Sequence, residues 1–218
     1  DDAFQHRHVQ AGLNILLVDF NRLICEDALL PAGRMREHES GKDRANIVII
    51  TKCPKNTSPM DYRVLTNKMN LYPYQDLFFS TFRYGKLHPL FNGGQDFPLQ
   101  QIRPNIHILL VTGIASPQQL EADLTAMKSN VHPLSFGDHH DFNAKDIEQI
   151  NSTFAEMPSP KIIITTEKDS TRIFGHEGLS EEVRHNMYAL PIRVKATATR
   201  YPAQIPMMKG ISLAIFLP

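Results

Sequence analysis

Four short apolar runs stand out along the chain: Ile15-Leu16-Leu17-Val18, Ile47-Val48-Ile49-Ile50, Ile108-Leu109-Leu110-Val111 and Ile162-Ile163-Ile164. Unbroken runs of this length suit strands buried on both faces, as in a parallel sheet. Between them the apolar positions change to helical spacing, each time behind a start signal. Ser58-Pro59 precedes Val64, Leu65 and Met69; Ser116-Pro117 precedes Leu120, Leu124 and Met127; Asn143 precedes Ile147, Ile150 and Phe154. Strand alternating with helix predicts an α/β protein. Residues 76–91, with Tyr84-Gly85 between two alternating segments, predict an antiparallel hairpin, and 189–199 a late strand, so the sheet is expected to be mixed.

The segment 92–104, with Asn92-Gly93-Gly94 and two prolines, is the best internal break. It divides the chain into an expected lobe over 1–91, a connecting loop over 92–104 and a C-terminal α/β lobe over 105–218. Charge changes the picture little: 23 basic residues balance 23 acidic ones, which gives no reason to expect a nucleic-acid partner. Cys25 and Cys53 lack metal-ligand spacing and read as structural thiols of a reducing compartment. No apolar run reaches the roughly 18–20 residues that span a bilayer, so the chain as given reads as soluble or peripheral. It opens at Asp1 without Met or an apolar leader, and the start has the look of a cut.

Candidate chemistry falls in four places. Asp1, Asp2 and His6 put two carboxylates and an imidazole in one short segment, a donor set suited to a divalent cation with substrate phosphates; the alternative is a solvated chain start. In 29–37, Pro31 and Gly33 shape a turn presenting Arg34 and Arg36 ahead of Glu37, and arginine forks bind phosphate in pairs of hydrogen bonds. A loop opening a helix with a surface Arg-Glu pair accounts for it equally. Asp138, His139 and His140 follow an expected strand over 131–136, at the edge where open α/β sheets bind ligands, and a His there suits a base or a metal ligand. Lys168, in Thr165-Thr166-Glu167-Lys168-Asp169, again follows a buried strand; it can meet an anionic ligand, and the threonines can equally cap the next helix. Thr51-Lys52-Cys53-Pro54 has the Lys of the base-reading Asn-Lys-x-Asp signature of GTPases but lacks its Asp.

In their order, Asp-Asp-Ala-Phe-Gln-His-Arg at 1–7, Leu-Pro-Ala-Gly-Arg-Met-Arg-Glu at 30–37, Thr-Lys-Cys-Pro at 51–54, Val-Thr-Gly-Ile-Ala at 111–115, Phe-Gly-Asp-His-His-Asp-Phe at 136–142 and Thr-Glu-Lys-Asp at 166–169 resemble the tetraacyldisaccharide 4'-kinases. The resemblance implies a P-loop kinase-like α/β fold with a mixed, mainly parallel sheet, flanking helices, a small β-hairpin and a second lobe. It implies ATP with Mg²⁺ as cofactors and phosphorylation of the 4'-hydroxyl of a tetraacyldisaccharide 1-phosphate lipid, in lipid A biosynthesis, peripherally at the cytoplasmic face of the bacterial inner membrane. Asp1 and Asp2 would manage Mg²⁺, with His6 beside them; Arg36, Glu37 and Lys168 would lie near the nucleotide. His139, next to Asp138, would pair with an upstream Asp to activate the sugar hydroxyl. The family's Gly-x-x-x-x-Gly-Lys-Thr loop, catalytic Asp and membrane-associating region lie upstream of the Asp-Asp segment, and these 218 residues contain no such loop. The chain alone is therefore expected not to transfer phosphate. Two other readings stay open: a metal-dependent phosphoesterase using Asp138, His139 and His140 with Asp1, Asp2 and His6, and a non-catalytic binding remnant.

Overall fold

The computed structural model describes Phe4, His8 and residues 11–199 other than Asn92, Lys128, Ser129 and His139. In chain order the elements are β1 (Ile15–Asp19), β2 (Ile47–Thr51), α1 (Pro59–Met69), β3 (Asp76–Tyr84), β4 (Lys86–Pro89), β5 (Phe97–Pro98), β6 (His107–Thr112), α2 (Gln118–Met127), β7 (Val131–Ser135), α3 (Ala144–Glu156), β8 (Lys161–Thr166), α4 (Glu167–Phe174), α5 (Glu181–Asn186), β9 (Met187–Leu190) and β10 (Ile192–Thr199). They form two compact units, Asp1–Phe82 with Val194–Pro218, and Arg83–Arg193.

In the first unit β1, β2 and β3 run parallel in the order β1-β2-β3, with β10 beside β3. Register decides which side chains meet. Leu16, Val48 and Leu77 align across the sheet, as do Val18, Ile50 and Phe79, and this face packs on Tyr62, Leu65 and Met69 of α1. Alternate residues of β2 are buried, so only part of the continuous apolar run goes fully into this core. Helix α1 starts where the sequence signals it: Ser58 accepts the Asp61 N–H, Asp61 accepts the Ser58 N–H, and Pro59 takes the first turn, where a missing N–H costs nothing.

The second unit is a six-stranded mixed sheet in the order β5-β4-β9-β8-β6-β7. Strands β9, β8, β6 and β7 are parallel, while β4 runs antiparallel to both β5 and β9. Here the apolar runs are buried on both faces. Leu109, Val111 and Ile163 pack under Ile147, Ile150 and Phe154 of α3, with Ile173 and Val183 from α4 and α5. Ile108, Leu110, Ile162 and Ile164 face Leu120 and Leu124 of α2 together with Leu99 and Ile102. Pro133 suits β7 to its place at the sheet edge, because a proline has no N–H for a second neighbour. From β6 the chain goes through α2 to β7 on one side, and from β8 it goes through α4 and α5 to β9 on the other. The loops after β6 and β8 therefore diverge, which makes the carboxyl edge between them a topological switch point.

Three expectations are corrected. Strands β3 and β4 do not pair as a hairpin: β3 is parallel to β2, whereas β4 joins the other sheet. The physical reason lies at Gly85, whose N–H donates to the Pro191 carbonyl at 2.8 Å and where a Cβ would come within 3.0 Å of the Pro191 ring. Gly85 serves a close backbone crossing, and the antiparallel ribbon is β4 with β5. The segment 92–104 lies inside the second unit, since Leu99 and Ile102 are buried in its core and Phe97 packs against them. The late strand is two strands, β9 and β10, separated by Pro191 and belonging to different sheets.

Phe154, fully buried at the centre of the α3 face, gives a direct check of this core. Phe154→Ala is expected to lower the unfolding free energy by about 3–5 kcal/mol, read by urea denaturation followed by circular dichroism. A loss below about 1 kcal/mol contradicts the packing described.

Candidate functional site

At the switch point of the second unit, three loops meet around one carboxylate. Asp169, in the first turn of α4, is completely buried. Its Oδ2 accepts the Gly113 N–H at 2.9 Å, from the turn after β6, and the Thr166 hydroxyl at 2.7 Å, from the end of β8. Thr166 Oγ1 in turn accepts the Asp169 N–H at 3.1 Å and so caps α4. Asp169 Oδ1 is buried without a hydrogen-bond partner, with Arg172 Nη1 at 3.9 Å.

The loop after β7 closes the third side. The Phe136 N–H donates to the Thr112 carbonyl at 2.7 Å, tying the loop to β6. A Cβ on Gly113 would lie 3.0 Å from Asp169 Oδ1, a tight approach, and at an ordinary contact distance of 3.5 Å from both the Gly137 carbonyl oxygen and His140 Cβ, so the three segments meet closely here. His140 stacks on Phe136, meets Phe142 edge-on, and its Nε2 lies 2.8 Å from Asp146 Oδ2. Asp146 also accepts the Asn143 N–H, the second half of the capping box of α3. Burial by itself raises the Asp146 pKa; the Asn143 N–H, the His140 hydrogen bond and the positive fields of His140 and His176 outweigh it and hold the carboxyl below its ordinary value. Beside this frame, Asp138 and Lys168 approach to 3.7 Å, both partly exposed.

The first unit has its own constellation at the carboxyl ends of β1 and β2. Lys52 lies just beyond β2 in the left-handed region (φ 60°) and puts Nζ 2.6 Å from Asp19 Oδ2 at the end of β1. A non-glycine residue held there costs on the order of 1–3 kcal/mol, here maintained beside a nearly buried ion pair. In the loop over 29–37, Gly33 donates to the Leu29 carbonyl, and a Cβ on it would fall 2.2 Å from the Ala28 oxygen, so this turn closes only with glycine. Asp27 accepts the N–H groups of Arg34 and Ala28, which lowers its carboxyl pKa. Glu37 takes Arg44 at 2.6 Å, and Arg44 also reaches the Phe4 carbonyl at 3.3 Å and stacks over the Phe4 ring.

Compared with known proteins, the chain matches the family described as tetraacyldisaccharide-1-P 4'-kinase over residues 1–206. The chain belongs to the tetraacyldisaccharide-1-P 4'-kinase family. It is 58% identical over 195 residues to the tetraacyldisaccharide 4'-kinase of Phocaeicola vulgatus, covering 89% of this chain and 53% of that one. It is 50% identical over 204 residues to the enzyme of the same name from Bacteroides thetaiotaomicron, with the same coverage of 89% and 53%. The chain thus spans about half the length of the curated relatives it matches. Among solved structures, LpxK from Aquifex aeolicus, crystallised in complex with ATP, superposes with a TM-score of 0.53 at 23% identity, over 90% of this chain and 52% of that one. The fold is shared with that kinase: mainly parallel α/β sheets with flanking helices.

Of the residues that the family motifs single out, Asp1, Asp2, His6 and His139 lie outside the described residues. The structure brings Asp138 and Lys168 together in the second unit. Arg36 is exposed and Glu37 half-buried in the first. Cys25 and Cys53 are free thiols, the buried Cys53 pushed up to about 11 mainly by burial, in keeping with a structural role. Sequence reasoning missed Asp169, Arg172, Asp146 and the Asp19–Lys52 pair as parts of the site frames. The Thr166-x-x-Asp169 spacing is visible but reads as a helix cap.

The Asp146 carboxyl carries a pH signature. Its folded pKa lies below the unfolded one, so its stabilisation is fully present above the unfolded carboxylate value of about 4 and fades as pH falls through the folded value. The urea midpoint of Asp146→Asn should lie below that of the parent at pH 7, with the gap closing towards pH 3. An equal gap at both pH values contradicts the assignment.

Proposed function

We propose that the protein carrying this chain transfers the γ-phosphoryl group of ATP to the 4'-hydroxyl of a tetraacyldisaccharide 1-phosphate in lipid A synthesis. The observation that carries the reading is the family match over residues 1–206, and the shared name of its relatives supports it. ATP supplies the phosphoryl group, and Mg²⁺ offsets the charge on its phosphates. Asp1 and Asp2 offer the hard oxygen donors that suit Mg²⁺, and among the described residues no three His, Cys, Asp or Glu gather to hold a metal. The exposed Arg36 and the Lys168 ammonium have the chemistry to meet phosphate oxygens, with His6 beside the metal carboxylates. Glu37 is committed to Arg44, which suits it to holding its loop.

His139 takes the proton of the attacking hydroxyl, as the transfer of a phosphoryl group to an alcohol requires. Its position between Asp138 and His140 supports the role, because these neighbours belong to the loop fixed at the switch-point edge. A lipid acceptor implies work at a membrane surface, the cytoplasmic face of the inner membrane. No helix among the described residues is long and apolar enough to cross one.

The test is His139→Ala in the complete protein. The rate constant kcat for 4'-phosphorylation is expected to fall by about 10²–10⁴-fold with KM for ATP little changed. Retention of kcat within about threefold removes His139 from the chemistry.

A further inference from the structure

A carboxylate buried to 0% exposure needs donors, and Asp169 does not spend its hydrogen bonds as a capping residue does. In a capping box the acid at the third helical position bonds the backbone N–H of the cap. Asp169 instead accepts the N–H of Gly113, 56 residues away on the turn after β6, and leaves Oδ1 without a hydrogen bond. Capping of α4 is served by Thr166 Oγ1 and does not require this arrangement. The unpartnered Oδ1 faces the point where a Gly113 Cβ would sit, beside the Gly137 carbonyl and His140. Its counter-charge is Arg172, at 3.9 Å, whose Nη1 makes a long 3.5 Å contact to the His140 carbonyl oxygen.

The consequence is a linkage. Asp169 joins the end of β8 to the turn after β6 by hydrogen bonds, and through Arg172 it joins both to the backbone of His140, the residue after His139. On the far side, Asp146 and the rings of Phe136 and Phe142 fix the His140 imidazole. We infer that Asp169 is a positioning residue, acting with Arg172 to hold the backbone of His140 and so to serve the proposed base one residue before it in the chain. This rests on the reading of His139 as the base. Such a residue acts on kcat through geometry, and a misplacement of about 1 Å is enough to cost on the order of 100-fold.

The experiment uses the complete protein with Asp169→Asn, which keeps shape but removes the charge facing Arg172, and Arg172→Gln, an independent second variant on a less buried side chain in case the first does not fold. Two readouts are taken: steady-state 4'-phosphorylation, and the ring ¹⁵N signals of His140. The expected result is a fall in kcat of about 30–100-fold with KM for ATP within about threefold of the parent. The His140 signals should shift in both variants while the thermal midpoint of Arg172→Gln stays near that of the parent. Unchanged His140 signals together with kcat within about twofold of the parent in the folded variants overturn the inference and leave Asp169 a structural group. If His139→Ala keeps its activity, the base reading fails; shifted His140 signals in Asp169→Asn then still support the linkage, and unshifted ones overturn it.

Discussion

Taking a carboxylate out of water costs several kcal/mol unless donors replace the lost hydration, and at Asp169 the donors come from separate parts of the chain. Gly113 follows β6 and Thr166 ends β8, while Arg172, one turn further along α4 and 3.9 Å from Oδ1, supplies counter-charge without a hydrogen bond. Meeting that one demand holds the carboxyl ends of two adjacent parallel strands together, across the point where their connections part. The apolar core below supplies the bulk of the stability and is indifferent to the positions of the loops. The buried charge is specific about them, because a hydrogen bond depends on both distance and direction.

This division shapes the edge of the second unit. Ile108 to Val111 and Ile162 to Ile164 make a platform covered on both faces by helices. The polar frame above it holds Asp138 and His140 on the loop after β7 and Lys168 in the first turn of α4. The first unit repeats the arrangement with different parts. Lys52 and Asp19 close the edge between β1 and β2, and Glu37 with Arg44 braces the loop that carries Arg36. Phosphoryl transfer, the activity for which the relatives are named, asks a protein mainly for fixed charges and donors in the right places.

The alternation of strand and helix was legible because the apolar runs and caps are strong local signals: Ser58, Asn143 and the four strand runs all do what their residue types favour. The misreadings arose where long-range contacts decide. Tyr84-Gly85 has the composition of a turn, yet Gly85 is needed for its approach to Pro191, more than 100 residues on. The segment 92–104 has the composition of a linker, yet Leu99 and Ile102 find a core made by residues after it. The family was legible as ordered motifs, and the chain belongs to it; the residues those motifs single out are a proposal for the site. Its frame was not legible, because nothing local marks Asp169 as bonded to Gly113 or Asp146 as bonded to His140. Both acids sit three residues after a capping residue and carry an ordinary helix signal.

The most direct test of the account is the identity of the product. The complete protein is incubated with ATP, Mg²⁺ and tetraacyldisaccharide 1-phosphate, and the lipid is examined by ³¹P NMR. The account predicts a second phosphomonoester signal, coupled to the proton at the 4' position and growing in step with ADP. Release of inorganic phosphate with the lipid unchanged, or loss of the original 1-phosphate, would contradict it.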